Sequence, residues 1–416
     1  RANAERLAKI GQTPLYLGIK LRKGAPVTTR IAVGLDNAQQ GRVCGRNAAR
    51  AALESLGTVP VSLALLFTSH PDPAQVLQGV NEVLGSAPLI GATSAGEYSH
   101  QGYVEQGAGV MLIQSDDILF HGVKHQRRRF FGSGKLFGKL QGISESGLGS
   151  PFSYRTLMLF PDDQSMNLDG VVAQAMTETA LLYTILGGAG LKQPAVPQSP
   201  AVFYNDQLLR TGLSGAEVLS RAPLGLALAN GWTPISGPYR VTQAGERRVV
   251  KLDGRPAREV YEDFFQANQI PFTDDTLSET LLYYPIGICA EGDCKVSIVM
   301  ECDSNGALIV ASPPAKGSLI HILSARPDAL ITAAEQAIRQ ALQKLENQPK
   351  AGALFIDCVS TGMVLSDAYQ QQRLAVERCM GDLPFLSFRS HGVLARLQGQ
   401  SSGHFECSVG TCVLPG

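Results

Sequence analysis

The residues best suited to chemistry sit in Gly-rich turns. GATSAGE, Gly91 to Glu97, holds two hydroxyls, Thr93 and Ser94, and a carboxylate, Glu97. Such a set could donate hydrogen bonds to a ligand's anionic end and accept them from its ammonium. It also invites comparison with the G-x-S-x-G elbow of serine hydrolases, with Ser94 as nucleophile. Ala92 stands where that elbow needs its first glycine. The elbow must also run straight into a helix, whereas YSHQGYVEQGAG follows and reads as a loop. A turn that needs glycines for φ > 0 explains the pattern better, and turns at carboxyl ends of strands are where open α/β sheets bind small molecules. Gly91, Thr93, Ser94, Gly96 and Glu97 are therefore the first candidates for a ligand site. GGAGL, with Gly187, Gly188 and Gly190, and RSHG, with Ser390 and His391, hold corresponding places later in the chain. The turns could line one cavity or three. None fits G-x-G-x-x-G and no P-loop occurs, so nucleotide binding has no motif behind it.

The histidines, His70, His100, His121, His125, His321, His391 and His404, show no HExxH or other metal spacing. His121 and His125 are expected after a strand and before a basic loop. A haem needs a single axial histidine, so spacing leaves that cofactor open; no other is expected. The eight cysteines form no CxxC pair. Cys407 and Cys412 in HFECSVGTCVL fall on opposite faces of a strand. Cys294 and Cys302 in CKVSIVMEC share a face about 26 Å apart at a 3.3 Å rise. The first residues, RANAERLAKIGQTPLYLGIKLRKG, lack a signal peptide's apolar stretch. Eight reduced, mostly buried thiols and no bound metal are the expectation.

These turns must be held by elements, and 416 residues are enough for more than one domain. Lys plus Arg and Asp plus Glu both total 36, so no global field recruits nucleic acid. No apolar run is long enough for a spanning helix, so no membrane insertion is expected. A β-α-β-α-β-β unit recurs. The first copy runs from IAVGL at 31–35 through the apolar strand 62–67, a helix begun by Asp72 and Pro73, and the strand and turn at 87–97, to GAGVMLI at 107–113. The second is centred on RTLMLF at 155–160. The third opens with SLIHIL at 318–323 and is centred on 353–357, with a helix over 367–380 and the strand and turn LPFLSFRSHG at 383–392. A different block, about 224–317, separates copies two and three. The fold expected is α/β, with repeated units forming mixed sheets flanked by helices in two domains. The basic segment 124–139 reads as a solvated loop leading into a short helix, not a nucleic-acid patch.

At this point the chain resembles the FIST family of bacterial sensory proteins. PLIGATSAGEYSHQGYVEQGAGVMLI is similar to the family's PLIGCSTAGEI pattern, and GGAG before FYND, then NGWTPI before YRVTQA, match as well. VVKLDGRPAREVYEDFF followed by PIGI resembles the FIST C part. The resemblance divides the chain into a tail at 1–30, a FIST N-like domain at 31–246 and a FIST C-like domain at 247–416. Leu191 and Val393 replace acids of the family's later turns, and CVSTG keeps only Cys358 and Gly362 of a cysteine-glycine-arginine-glycine run. That implies a different ligand or use of the first turn alone. The resemblance implies a non-enzymatic cytoplasmic sensor of amino acids or related metabolites. It would signal through a separate histidine kinase, cyclase or chemotaxis protein. A haem-based nitric-oxide sensor and a hydrolase using Ser94 are the alternatives.

Overall fold

The computed structural model describes residues 29–126, 135–143, 150–191, 200–273, 275–290, 293–310 and 312–416. The first copy comprises β1 (Thr29–Asp36), α1 (Gly41–Leu56), β2 (Leu63–Thr68), α2 (Pro73–Leu84), β3 (Leu89–Thr93), the hairpin β4 (Glu97–Ser99) and β5 (Gly102–Val104), and β6 (Ala108–Ser115). The second has β7 (Ile118–Gln126), β8 (Tyr154–Pro161), α3 (Leu168–Glu178), β9 (Thr184–Ala189), the hairpin β10 (Val202–Tyr204) and β11 (Gln207–Leu209), and β12 (Gly212–Ser220). The third opens with β13 (Gly225–Ala229). An inserted block follows: β14 (Thr233–Gly245), β15 (Arg248–Leu252), β16 (Arg255–Pro256), α4 (Ala257–Ala267), α5 (Leu277–Leu282), β17 (Ile286–Ala290), β18 (Asp293–Ser297), β19 (Val299–Cys302), β20 (Leu308–Val310) and β21 (Leu319–Ser324). The third copy then resumes with α6 (Pro327–Gln343), β22 (Lys350–Cys358), α7 (Val359–Leu365), α8 (Tyr369–Met380), β23 (Phe385–Arg396), β24 (Ser402–Phe405) and β25 (Val409–Pro415).

Each copy builds the same strand order: β1-β6-β2-β3, β7-β12-β8-β9 and β13-β25-β22-β23. In each, the last pair is parallel and joined through a helix, while the others are antiparallel. The strands at 62–67, 155–160 and 353–357 have partners on both sides, as their unbroken apolar runs predict. The copies also close on one another. β10 pairs with β3, Phe203 opposite Gly91. The second half of β23 pairs with β9, Leu394 opposite Gly187. β4 pairs with the first half of β23, Glu97 opposite Phe388. Each copy thus lends its hairpin to the sheet of another, and the three form a ring. Phe67, Phe160 and Phe388, one ring from each copy, meet inside it. Phe67 and Phe388 stack at 3.7 Å, and Phe160 meets Phe67 edge-on at 5.1 Å. Helices cover the outer faces, as where Ala48, Ala52, Val76 and Val80 pack over the first sheet.

Several expectations are corrected. SLIHIL does not open the third copy: it becomes β21 and pairs with β14 and β17 of the inserted sheet. The opening strand is β13, so the block lies inside the third copy, between its first strand and first helix. Pairing with β25 identifies β13 as that strand, a contact between residues far apart in sequence. The loop expected after Glu97 is the β4–β5 hairpin. RSHG is not a turn: β23 continues to Arg396 past a bulge at Gly392, whose φ is +71°. α7 precedes the helix expected at 367–380. His121 and His125 both lie within β7, not after a strand. No short helix occurs among the described residues 135–143 of the basic segment; residues 127–134 lie outside them. The 246/247 division falls between β14 and β15. Residues 1–28 of the tail lie outside the described residues, and β1 already begins at Thr29.

The cysteines also differ from expectation. Cys289 and Cys294 stand directly opposite in the β17–β18 hairpin and form a disulfide. The other six are free thiols. CKVSIVMEC is split at Ile298 into β18 and β19, which lie at opposite ends of the inserted sheet's strand order. HFECSVGTCVL is likewise broken, with Cys407 at a φ of +50° between β24 and β25.

Candidate functional site

β3 delivers the first turn to one end of the ring. There Ala95 N donates to Arg389 O at 2.9 Å, and Leu191 N to Thr93 O at 3.1 Å. The three glycine-rich segments therefore meet in one place. Their polar groups, however, have partners inside the protein. Glu97 is fully buried and accepts from Ser69 Oγ at 2.9 Å and from Ser94 Oγ. Burial pushes its carboxyl up to about 8, outweighing those hydrogen bonds. Thr93 Oγ1 donates to Leu191 O at 3.0 Å and accepts from Ala201 N at 3.1 Å. Ser390 Oγ donates to Gly392 O at 2.7 Å. Ser94 is fully buried, and its hydroxyl donates to Glu97. The glycines serve close packing. A Cβ on Gly91 would lie 1.8 Å from Leu66 O, and one on Gly187 would lie 1.8 Å from Leu159 O. A Cβ on Gly188 would lie 2.9 Å from both Phe388 and Ile356, and one on Gly190 would lie 3.1 Å from Ala92.

A second polar cluster adjoins this meeting place. β22 is apolar from Ala351 to Ile356 and then places Asp357, which the parallel register sets beside Arg389 of β23. The corresponding pair in the first copy is neutral, Thr68 beside Thr93. α8 covers Asp357 with Tyr369 and Gln372, three residues apart on one face. Tyr369 Oη donates to Asp357 Oδ2 at 2.8 Å, and Gln372 Nε2 donates to the same oxygen at 3.0 Å. Burial raises the Asp357 carboxyl to about 6, against the pull of Arg389 and these two donors. Arg389 Nη1 donates to Tyr103 Oη at 3.2 Å, and its guanidinium lies 4.7 Å from the Tyr369 ring centre. Arg373 lies over Tyr103 at 4.3 Å and over Tyr369 at 5.8 Å. Gly362 leaves room for Arg389, since a Cβ there would come within 2.5 Å of Nη2. Gly96 of the first turn makes room for Tyr103 in the same way, since a Cβ there would lie 2.9 Å from Oη.

Several atoms of this cluster are buried without a hydrogen-bond partner among the described residues. Two are acceptors, Asp357 Oδ1 and Gln372 Oε1; two are donors, Nε of Arg373 and Nε of Arg389; Thr361 Oγ1 is both. The Gln372 amide cannot be reversed, because its nitrogen must face a carboxylate that only accepts. Buried polar atoms are nearly always paired with protein or ordered water, so this cluster stands out by its unused hydrogen-bonding capacity. Sequence reasoning missed Asp357, Tyr369, Gln372, Tyr103 and Arg373. The one available signal was a carboxylate ending the otherwise apolar run GALFI.

His391 belongs to a third cluster. Its Nδ1 is 3.2 Å from Asp163 Oδ2 and its Nε2 is 3.3 Å from Glu406 Oε1. Burial opposes the charge, yet the two carboxylates prevail and raise the imidazolium to about 10. Glu406 also accepts from Ile298 N at 2.8 Å. Asp169 accepts from Lys295 Nζ at 2.5 Å and from His404 N at 2.9 Å. The inserted block is thus tied to the second and third copies. Two cavities, of about 450 and 320 Å³, lie elsewhere: one between α2 and β11, the other between α4 and β14. Among the described residues no group of His, Cys, Asp and Glu is arranged to hold a metal, and no helix is long and apolar enough to cross a membrane.

A ring of three α/β copies, bearing a buried polar cluster at the carboxyl ends of its strands, is the architecture of this chain. The chain matches the FIST N domain over residues 62–255 and the FIST C domain over residues 257–395, and it belongs to the FIST family of sensory, small-ligand-binding domains. No curated protein matches it. Among solved structures it is similar to PurLQS from Thermotoga maritima, at 9% identity over 94% of this chain and 73% of that one, with a TM-score of 0.23. It is also similar to phosphoribosylformylglycinamidine synthase II from the same organism, at 11% identity over 93% and 72%, with a TM-score of 0.22. Scores that low carry no argument.

Proposed function

We propose that this chain is a cytoplasmic sensor, not an enzyme, that binds an amino acid or close relative at the Asp357–Arg389 cluster. The signal passes to a separate partner, a histidine kinase, cyclase or chemotaxis protein, as the family resemblance implies. One observation carries the ligand class: the partnerless groups are complementary to a zwitterion. Asp357 Oδ1 and Gln372 Oε1 suit an ammonium; Arg389, whose Nη1 and Nη2 donate to Tyr103 Oη and Val359 O, keeps its Nε for a carboxylate. The faces of Tyr103 and Tyr369 suit the carbon skeleton between them. No cofactor is needed, and added haem should give no Soret band.

The test is a thermal-shift and calorimetric screen of the common amino acids against the protein, Asp357→Asn and Arg389→Met. A true ligand raises the melting temperature by mass action. Losing one charge-assisted hydrogen bond removes about 1.5–3 kcal/mol, so each variant should bind about 10- to 150-fold more weakly. Far-UV circular dichroism confirms that both variants fold. If no amino acid raises the melting temperature, or both variants bind as tightly as the parent, the site is misassigned.

A further inference from the structure

An α-amino acid backbone carries one carboxylate, yet this cluster holds two guanidiniums. Arg389 and Arg373 approach the same pair of rings, Tyr103 and Tyr369. Each has a buried Nε with no acceptor, and among the described residues neither has a carboxylate within ion-pair distance. Two acids lie two residues from a ring: Glu105 is exposed and accepts from the Tyr103 hydroxyl at 2.5 Å, and Asp367 is exposed. Tyr369, Gln372 and Arg373 stand at i, i+3 and i+4 of α8, so one helix face presents all three to the Asp357 side of the sheet.

We propose that Arg373 is a specificity residue that takes a second carboxylate, making the ligand a dicarboxylic amino acid. This rests on the Asp357–Arg389 cluster being the amino-acid site. Charge balance favours it. Two guanidiniums and Asp357 leave one positive charge, and a dicarboxylic amino acid brings one net negative charge. A monocarboxylic zwitterion would leave the second guanidinium uncompensated in a half-buried place, which is costly. Planar forks such as Arg373 also pair with carboxylates in a way that an amide cannot reproduce.

Calorimetry with L-aspartate, L-glutamate and their amides, L-asparagine and L-glutamine, tests this without changing ligand size. The protein should prefer one acid over its own amide by about 10-fold or more. Arg373→Met should weaken that acid by about 10- to 150-fold and move the amide by less than about 2-fold. Arg373→Lys, which keeps the charge, should recover part of the preference. If acid and amide bind alike, or Arg373→Met weakens both equally, the second-carboxylate role is overturned and the zwitterion site stands. If none of the four binds while another amino acid does, the dicarboxylate class is wrong. If no amino acid binds at all, the proposed function fails first. If inorganic phosphate binds as tightly as the acid and Asp357→Asn changes neither, the cluster is a plain anion site and the inference falls.

Discussion

Glu97 shows how much its surroundings add to what a residue's type says. As a sequence feature it is a carboxylate in a glycine turn; in the structure it is sealed in and bonded to Ser69 and Ser94. Its carboxyl is raised from 4.5 to about 8, chiefly by desolvation. A carboxyl raised on folding binds more protons in the folded than in the unfolded state between those values. Its contribution to stability is therefore full below pH 4.5 and is lost as pH rises through 8. Glu97→Gln should flatten the dependence of melting temperature on pH across that window, relative to the parent, while leaving ligand affinity at the Asp357 cluster unchanged. A variant with the parent's pH profile and a large loss of affinity would return Glu97 to the ligand site. Arg389 makes the opposite passage. It was legible only as the first residue of RSHG, and the register with Asp357 makes it central.

At the scale of elements, hairpins decide what spacing alone could not. Cys289 and Cys294 are five residues apart, a spacing that places them on opposite faces of one continuous strand. Antiparallel pairing of β17 with β18 sets them opposite each other, with Cα atoms 4.1 Å apart. Thiol titration in denaturant without reductant should find six free thiols, and eight after reduction. Finding eight before reduction would show that the hairpin holds two thiols, the state a reducing cytoplasm favours. The same reasoning covers β23. Its bulge at Gly392 needs a positive φ, and a Cβ there would strike His404 Nε2 at 2.2 Å. That glycine lets one strand serve two sheets, pairing β4 with its first half and β9 with its second.

The whole molecule is a ring plus an inserted block, and His391 sits where they join. Its two carboxylate partners come from different parts of the chain: Asp163 follows β8, and Glu406 follows β24 while also holding Ile298 of the block. The imidazolium is raised from 6.5 to about 10. A base raised on folding stabilises fully below pH 6.5, and that contribution disappears as pH climbs through 10. His391→Gln should lower the melting temperature most at pH 6 and progressively less toward pH 10. Limited proteolysis of the same variant should cut the inserted block first. A uniform loss at every pH would mean that packing, not charge, makes the joint.

The repeat, the buried central strands, the helix at 73–84 and the family were all readable from the chain, because they rest on local periodicity and on ordered motifs. Apolar runs mark strands that are covered on both faces wherever those strands end up. Which strand opens the third copy, which cysteines pair and which polar groups lack partners were not readable. Each depends on contacts between residues far apart in sequence, such as β13 with β25, β4 with β23 and Asp357 with Arg389 and α8. Local pattern specifies an element's type and its buried face. Only the closing of three sheets into one ring decides which of those faces meet, and so where buried charge collects.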